Sequence, residues 1–421
     1  MTRRIAVIGS GPAGLMAATQ ALTGGQTEVH LFERRKGLGR KLLIAGSSGL
    51  NVSHDAPIDE FLAIYAHRDP ASLPFLEPHL RDYPAEAWIE FLRSLGHEVF
   101  VGTSRRWFVR EMKASRLLSS WSTALSHAGC RIHTGLECVN FEVAPDRRVL
   151  LSFETNDLQS ATETPGPRTI QHEDFDAVVF ALGGGSWEDQ GPRWPQLFEK
   201  KGLKVLPFVA SNCGFELDLP PELLREAEGL PIKNCALETG LGKRQGEIVI
   251  TRYGLEGTPV YFVGAAGPGW LDLKPNLSEE ALFQHLSAPL KENLSPLRRL
   301  KKRGGLSPGA LALVFHLVPP EKRHEIHGNL RALARLVKRL PISFQARRPL
   351  SESISSSGGL DWSEVTDQLM LRKFPGVYSA GEMLNWDAPT GGFLIQACVA
   401  LGASAGRAAR SHALSPQCPS S

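Results

Sequence analysis

The sequence predicts an α/β fold, and three features of the 421-residue chain lead to this prediction. A short apolar strand, Ile5 to Ile8, runs into closely spaced glycines and then into an apolar helix. A second apolar strand, Phe175 to Ala181, also ends in glycines, and a third, Gly376 to Ala380, ends at a Gly-Glu pair. Strands that stop in glycines at one edge of a parallel sheet are typical of Rossmann-like folds, so we expect a two-dinucleotide-binding type of domain.

The glycines after the first strand indicate where a pyrophosphate binds. Their G-x-G-x-x-G spacing allows a tight turn, close approach of the backbone to phosphates, and packing of the helix onto the strand. The helix N-terminus adds free N–H groups and the positive end of the helix dipole. We predict that the whole loop contacts the dinucleotide: Gly9, Ser10, Gly11, Pro12, Ala13 and Gly14.

The next strand, Glu28 to Phe32, ends at Glu33. A carboxylate at this position can accept hydrogen bonds from both ribose hydroxyl groups of the dinucleotide, and it would repel a 2′-phosphate. The sequence therefore disfavours NADP as the nucleotide of this domain.

Composition limits the class of protein. A chain of this length exceeds one ordinary hydrophobic core, so we expect two or three domains. The 42% hydrophobic and 22% charged residues describe a soluble globular protein, and the net charge of +3 does not by itself indicate nucleic acid or membrane binding. The six cysteines form no C-x-x-C motif, which fits a reducing cytoplasm, and we expect neither a metal site nor a membrane span.

A basic, glycine-bearing loop follows Glu33, and small residues follow that loop. The basic loop could fold over the pyrophosphate or could be a solvated turn, and the sequence leaves both open. Residues 46–53 are rich in Gly and Ser, so their backbone could pass close to a flat ring. From this region we predict five cofactor-binding residues: Arg34, Gly39, Arg40, Lys41 and Asn51.

The segment that follows is predicted to contain helices, strands and a loop. Residues 85–95 and 115–127 have helical spacing of apolar residues, residues 130–143 and 149–153 suggest strands, and the polar residues 156–173 suggest an exposed hairpin loop. The strand that follows ends at three residues whose backbone could approach the cofactor: Ala181, Gly183 and Gly184.

Residues 189–275 and 341–349 are predicted to form an inserted β-rich domain, with a small helical domain at 276–340. Gly240 to Gly246 lacks a buried strand before it and an apolar helix after it, so we interpret it as a hairpin turn. Residues 298–348 carry many Lys and Arg residues and few acids. These residues are solvated helix faces or, alternatively, a patch for an anionic substrate or RNA.

The C-terminal block predicts a second contact with the cofactor. Glu382 follows a strand and could bond a ribityl hydroxyl group, while a glycine pair opens an apolar helix that runs through Ala409. The N-terminus of such a helix stabilises the negative charge that the pyrimidine end of a flavin gains on reduction. Residues 413–421 suggest a disordered tail. The predicted contacts are Gly381, Glu382, Asp387, Thr390, Gly391, Gly392 and Phe393.

Taken together, these motifs resemble the HI0933-like flavoproteins, the family that contains the BaiN-type NAD(P)/FAD-dependent oxidoreductases. The resemblance covers nearly the whole chain. It departs after Gly46, where the family usually has Gly-Gly-Arg-Cys-Asn and only Asn51 is retained. The matching segments are Gly9 to Gly14, Gly39 to Gly46, Arg106-x-Phe108 with Lys113 to Ser115, Thr251 to Val260, Ser357 to Leu360, Ala380 to Glu382, Asp387, and Pro389 to Gly392.

The resemblance implies bound FAD in a discontinuous domain of residues 1–188 and 350–412, with NADH or NADPH as a possible transient reductant. We expect an oxidoreductase that moves hydride between flavin N5 and a small organic substrate. Arg252, Tyr253 and Asn385 are candidate acids from matching motifs, although each is better explained as structural. A flavin-dependent RNA-modifying enzyme and a non-catalytic FAD-binding protein remain alternatives.

Overall fold

A computed structural model describes residues 2–46, 50–102, 104–155, 170–188, 191–289 and 292–415. Within these ranges the chain folds into two compact units. Unit 1 contains Met1–Val209 and Ser355–Ser421, and unit 2 contains Ala210–Ile354.

The strands have the following bounds: β1 Arg3–Ile8, β2 Thr27–Glu33, β3 Asn51–His54, β4 Val99–Val101, β5 Arg106–Val109, β6 Arg131–Thr134, β7 Leu136–Val143, β8 Val149–Thr155, β9 Ile170–Phe175, β10 Ala177–Phe180, β11 Val205–Ser211, β12 Phe215–Glu216, β13 Pro231–Thr239, β14 Gly242–Thr251, β15 Gly254–Gly257, β16 Gly267–Asp272, β17 Leu340–Phe344, β18 Ser355–Leu360 and β19 Val377–Ser379.

The helices have the following bounds: α1 Pro12–Ala21, α2 Arg40–Ala45, α3 Ile58–Arg68, α4 Leu73–Asp82, α5 Ala85–Ser94, α6 Ala114–His127, α7 Trp194–Lys200, α8 Pro221–Ala227, α9 Thr258–Val263, α10 Glu279–Ser287, α11 Pro296–Arg303, α12 Pro308–His316, α13 Pro320–His327, α14 Leu330–Lys338 and α15 Phe393–Leu414. Three short 3₁₀ turns span Leu350–Glu352, Trp362–Glu364 and Gly381–Met383.

A five-stranded parallel sheet forms the centre of unit 1, in the order β19-β10-β1-β2-β6. β10 and the Ile5–Ile8 part of β1 are entirely apolar and buried, because both faces of a parallel sheet are covered. Smaller antiparallel sheets of β3-β5-β4 and β7-β8-β9 also belong to the unit. The predicted α/β, Rossmann-like class is therefore confirmed.

Helices α1 and α15 lie against each other at unusually short range. A Cβ atom on Gly402 would come within 2.2 Å of the Ala13 carbonyl oxygen, and one on Gly406 would come within 2.3 Å of the Ala17 carbonyl oxygen. Glycines four residues apart lie on one face of a helix, so α15 presents a smooth face to α1. This packing joins the two ends of the chain.

Unit 2 combines an antiparallel sheet, ordered β12-β15-β14-β13-β16-β17, with helices α8 to α14. Residues of the sheet, such as Ile248 and Leu271, share one hydrophobic core with helix residues such as Leu313 and Leu333. The β-rich and helical segments that the sequence analysis distinguishes therefore pack around one core in these residues. The hairpin turn expected at residues 240–246 is present, because β13 and β14 pair through the turn at residues 240–241.

Three further boundaries differ from the sequence prediction. Residues 191–209 belong to unit 1, because Phe198 of α7 packs against Phe141 and Phe180 in the core of that unit. Part of the expected exposed loop is strand β9, and residues 156–169 lie outside the described residues. The expected tail begins too early, because α15 continues to Leu414 with Ala413 buried, whereas residues 416–421 are not described.

Buried His79 of α4 predicts a dependence of stability on pH. Burial lowers the pKa of His79 to about 4 from 6.5. The folded state thus keeps the imidazole neutral, whereas the unfolded chain binds a proton below pH 6.5. The resulting stability is present above that pH, is lost progressively as the pH falls towards 4, and amounts to about 3 kcal/mol.

We therefore expect His79→Gln to flatten the decline of the unfolding free energy between pH 7 and pH 4. Urea unfolding followed by tryptophan fluorescence measures this decline for unit 1, since seven of the eight tryptophans lie there and only Trp270 lies in unit 2. The matched control is His67→Gln on the exposed side of α3, which should leave the decline as in the wild type. An unchanged decline in His79→Gln would contradict this role.

Candidate active site

Four carboxyl ends of the parallel sheet of unit 1 come together at one edge. The Gly9 amide donates to the Phe32 carbonyl oxygen, joining the ends of β1 and β2 at 2.8 Å. Ala181 donates to the Ile8 carbonyl at 2.8 Å, and Ala380 donates to the Phe180 carbonyl at 2.9 Å. This edge is where open α/β sheets bind their ligands. The three glycine-terminated strands named in the sequence therefore meet at one place.

The three glycines of the first loop have different surroundings. Gly9 has φ +107°, and a Cβ atom there would lie 2.2 Å from the Ala181 carbonyl oxygen. A Cβ atom on Gly14 would lie 1.8 Å from the Gly9 carbonyl oxygen. Gly11, in contrast, has no described atom within 4 Å of its Cβ position. Gly9 and Gly14 are thus required by the fold, whereas the open side of Gly11 leaves room for a ligand.

Two helices that pack against each other, α1 and α15, begin without side-chain caps. Gly11 is the N-cap of α1 and Gly392 is the N-cap of α15, and neither first turn contains an acidic residue. The first N–H groups of both helices are therefore left for other acceptors, and both dipoles direct positive potential outward. Such helix starts favour anionic ligands.

Glu33, the predicted ribose ligand, is held by the first loop. Its Oε2 accepts a hydrogen bond from the Ser10 amide at 3.2 Å and another from the Ser10 hydroxyl group. Its Oε1 accepts from the Arg35 amide at 2.9 Å. Since a carboxylate offers about four acceptor sites, Glu33 retains capacity for a hydroxyl group of a ligand.

The arginines of the basic loop contact Glu188, which the sequence analysis did not select. Arg34 donates to Glu188, Arg35 lies 3.6 Å from its other oxygen, and Arg40 donates to the Trp187 carbonyl at 2.9 Å. The loop thus binds the segment after the β10 glycines instead of forming a plain solvated turn. Arg40 and Lys41 also begin helix α2, so this end of the predicted loop is helical.

Lys41 and Glu382 form a buried charged cluster around Gly184. The Lys41 Nζ donates to the Gly184 carbonyl oxygen at 2.7 Å, and Glu382 Oε1 accepts from the Ser356 amide at 3.1 Å. Burial lowers the pKa of Lys41 and raises the pKa of Glu382, while the charge of each partly offsets this change for the other. The cluster joins α2, the glycines after β10, and the Gly-Glu turn after β19, three segments far apart in sequence.

The segment before α15 is fixed by an ion pair and by glycines. Arg68 donates to Asp387 at 2.9 Å, and the Asp387 amide donates to Asp69 at 3.1 Å. Gly392 has φ +96°, and a Cβ atom there would lie 2.6 Å from the Ser53 backbone. Strand β3, which begins at the predicted residue Asn51, therefore lies directly against the start of α15.

Three further side chains meet at the start of α15. The His54 ring stacks on Phe393 with 5.1 Å between ring centroids. The Arg106 Nε lies 3.2 Å from the Cβ position of Gly391, and β3 and β5 pair His54 with Arg106. Thr390 Oγ1 and His54 Nδ1 are buried, and neither has a hydrogen-bond partner in the described part of the chain. Buried polar atoms of this kind are uncommon unless a ligand or water satisfies them.

Sequence reasoning overlooked His54, Ser356, Arg68 and Glu188 as neighbours of this edge. Their signals were weak, because each becomes a neighbour only through tertiary packing. Arg106 did have a signal, since it belongs to the Arg-x-Phe segment that carried the family resemblance. Residues 47–49, where the sequence departs from the family, lie outside the described residues.

The candidate acids have structural contacts of their own. Arg252 and Tyr253 belong to unit 2, where the Arg348 guanidinium lies 4.3 Å from the Tyr253 ring centroid. In unit 1 the Asn385 carbonyl oxygen accepts from Trp362 Nε1 at 2.6 Å and from the Ser72 hydroxyl group at 3.0 Å.

The basic block of unit 2 is partly paired with acids. Lys338 lies 2.8 Å from Asp272, Arg348 lies 2.6 Å from Glu216, and Arg331 lies 3.0 Å from Glu280. Lys302 and Arg335 also have acidic partners, Glu292 and Glu279. Pairing of this kind weakens the positive potential that nucleic acid binding requires.

The edge fits a dinucleotide flavin on structural grounds. The open side of Gly11 and the two uncapped helix starts suit phosphates and an electron-rich ring, and the free acceptor capacity of Glu33 suits a ribose. Among the described residues no group of three His, Cys, Asp or Glu side chains is arranged to hold a metal ion. None of the described helices is long and apolar enough to cross a membrane.

Comparison with known proteins identifies the family of the chain and a curated relative. The model of the HI0933-like protein Rossmann domain matches residues 3–408. The 3-dehydro-bile acid delta(4,6)-reductase of Clostridium scindens is 25% identical over 433 aligned residues, which cover 96% of this chain and 98% of the relative.

Solved structures share the fold. The open conformation of a flavocytochrome c3 fumarate reductase aligns with a TM-score of 0.55 and 14% identity, over 98% of this chain and 79% of that chain. The 3-ketosteroid delta1-dehydrogenase of Sterolibacterium denitrificans, in complex with 1,4-androstadiene-3,17-dione, aligns with a TM-score of 0.51 and 12% identity, over 97% and 100% of the two chains. At these identities the alignments show similarity of fold alone.

Proposed function

The chain belongs to the HI0933-like family of flavoprotein oxidoreductases, and from this premise we propose that it is an FAD-dependent oxidoreductase acting on an organic substrate. The observation that supports the proposal most is the uncapped start of α1, where the open side of Gly11 lies at the carboxyl edge of the parallel sheet. When bound, FAD supplies the hydride chemistry, and the protein binds and orients it.

Each part of the edge has a role in this proposal. The loop from Gly9 to Gly14 and the start of α1 hold the pyrophosphate, and Glu33 holds the adenosine ribose. The start of α15 faces the pyrimidine end of the flavin, where its dipole stabilises negative charge. The glycines after β10 allow the backbone to approach the ring closely.

The buried cluster of Lys41 and Glu382 fixes these parts relative to one another. Glu382 accepts a hydrogen bond from the Ser356 amide, and the Lys41 Nζ donates one to the Gly184 carbonyl oxygen. We propose that the cluster fixes the distance between the glycines after β10 and the flavin ring. A ribityl hydroxyl group can still bond Glu382 through its remaining acceptor capacity.

The substrate class is proposed from the curated relative, whose name describes a reductase of double bonds in a 3-dehydro-bile acid. We propose an organic compound with a carbon–carbon double bond conjugated to a carbonyl group. Reduction then places a hydride on the β-carbon and a proton on the α-carbon, with two electrons supplied by NADH or NADPH. The RNA alternative is not carried forward, because basic residues of unit 2 are paired with acids.

Anaerobic mixing tests the proposal. The purified holoprotein is mixed with NADH or NADPH, and the flavin absorbance is followed in a stopped-flow instrument. We expect bleaching by at least one of them, followed by return of the absorbance when 4-androstene-3,17-dione or 2-cyclohexenone is added. If dithionite bleaches the flavin but neither NADH nor NADPH does, reduction by NAD(P)H is contradicted. If neither acceptor restores the flavin absorbance, a non-catalytic FAD-binding protein is favoured.

A further inference from the structure

A tyrosine and a glutamate border a small notch of unit 2 above a glycine. Tyr253 lies in the turn between β14 and β15, and Glu256 lies on β15. Gly214 comes directly before β12, which pairs with β15. A Cβ atom on Gly214 would lie 2.9 Å from the Tyr253 hydroxyl oxygen and 2.9 Å from the Glu256 Cγ. The two side chains therefore meet over a position that only glycine leaves free.

The polar ends of both side chains are available to a ligand. Tyr253 and Glu256 are half-buried. Neither the hydroxyl nor the carboxyl group forms a hydrogen bond or an ion pair with another residue in the part of the chain that the structure describes. The Tyr253 ring is held by the Arg348 guanidinium, which lies 4.3 Å from the ring centroid. A phenol that is fixed in this way can donate its proton to the oxygen atom of a bound molecule.

The surrounding charges favour a neutral carboxyl group on Glu256. Arg348 donates to Glu352 at 2.7 and 2.9 Å and to Glu216 at 2.6 Å. Two other acids thus share the positive charge of Arg348 through direct contacts. Burial raises the pKa of Glu256, the neighbouring Glu352 raises it further, and Arg348 offsets this only in part. A carboxyl group in such surroundings keeps its proton more readily than an exposed one, and a protonated carboxyl group is a hydrogen-bond donor.

We propose that Tyr253 and Glu256 are a pair of hydrogen-bond donors that binds the carbonyl oxygen of an organic ketone. A phenol beside a neutral carboxyl group binds an enolate oxygen more tightly than a ketone oxygen, because the negative charge strengthens both hydrogen bonds. An enolate forms when a hydride adds to the β-carbon of an enone and an electron pair moves to the oxygen. The inference rests on the proposed function for this class of substrate, and it adds the residues that recognise the carbonyl group.

Binding of 4-nitrophenol tests the inference without turnover. This compound ionises near neutral pH, and its phenolate oxygen resembles the oxygen of an enolate. Isothermal titration calorimetry of the purified full-length protein measures its affinity. We expect Tyr253→Phe and Glu256→Leu each to weaken binding about tenfold or more, because each removes one donor to a charged oxygen. Glu256→Gln should stay within about threefold of the wild type, because the amide remains a neutral donor.

The matched controls are Tyr83→Phe in unit 1 and Glu228→Leu at an exposed position of unit 2, and both should bind 4-nitrophenol like the wild type. Wild-type affinity in Tyr253→Phe or in Glu256→Leu overturns the inference, as does a wild-type protein that does not bind 4-nitrophenol. If Glu256→Gln binds about tenfold more tightly, the carboxyl group is ionised and repels the ligand, which also overturns it.

If Glu256→Leu does not fold, Tyr253→Phe decides, because it removes a single oxygen atom. The titration requires neither NAD(P)H nor reduction of an enone. Failure of the anaerobic mixing experiment would therefore contradict the proposed function and not the donor pair.

Discussion

Gly11→Val is expected to give a folded protein that does not bind FAD. Gly11 has φ −72° and ψ 178°, an extended conformation that valine adopts readily, and no described atom lies within 4 Å of its Cβ position. The fold therefore accommodates the new side chain. The space that valine fills is the space proposed for the pyrophosphate, so we expect FAD affinity to fall at least about 100-fold, or about 3 kcal/mol.

Flavin fluorescence quenching during titration of the apoprotein with FAD measures this loss. The matched control is Gly240→Val, the same change at an exposed turn of unit 2 whose Cβ position is also open. The control should bind FAD like the wild type, and both variants should keep the wild-type circular dichroism spectrum. A yellow, fully loaded Gly11→Val protein would place the phosphates elsewhere.

Gly402→Ala is expected to destabilise unit 1 although alanine is the better helix former. In an isolated helix this change would add about 1 kcal/mol of stability. In α15 the new Cβ atom would lie 2.2 Å from the Ala13 carbonyl oxygen, so α1 and α15 must separate, at a cost of about 3 kcal/mol or more. The net expectation is a loss of at least about 2 kcal/mol.

Urea unfolding followed by far-UV circular dichroism, which reports the helices of both units, measures this loss. Gly309→Ala in α12 is the matched control, because its Cβ atom would lie 3.3 Å from the nearest atom, a side-chain carbon of Leu230. We expect that control to stay within about 1 kcal/mol of the wild type. A stabilised Gly402→Ala variant would mean that the two helices lie farther apart than described. Because α1 begins at the proposed pyrophosphate loop, the destabilised variant should also bind FAD more weakly.

Much of unit 1 could be predicted because its signals are local. The apolar strands β1 and β10, the glycine spacing after β1 and the glycine pair before α15 each carry their structural reason in a few residues. The sheet order could not be read in the same way, but strands that end in glycines at one edge imply parallel neighbours. The family match over residues 3–408 confirms the predicted resemblance.

The missed contacts depend on residues far apart in the chain. Glu188 contacts arginines of the basic loop that lie about 150 residues earlier in the chain. Ser356 contacts Glu382 because β18 lies beside the Gly-Glu turn. The domain boundary near residue 189 was misplaced because α7 follows glycines and precedes a β-rich segment, so its local pattern does not show which core it joins. Only packing of Phe198 into the core of unit 1 decides this.

Release of the cofactor by acid tests the central claim most directly. The absorption spectrum of the purified protein is recorded, the protein is precipitated with acid, and the supernatant is analysed for flavin by chromatography and mass. We expect one FAD per chain in the supernatant and a colourless pellet. Protein that contains no flavin even after incubation with FAD, or that releases only FMN, would contradict a dinucleotide site built from both ends of the chain.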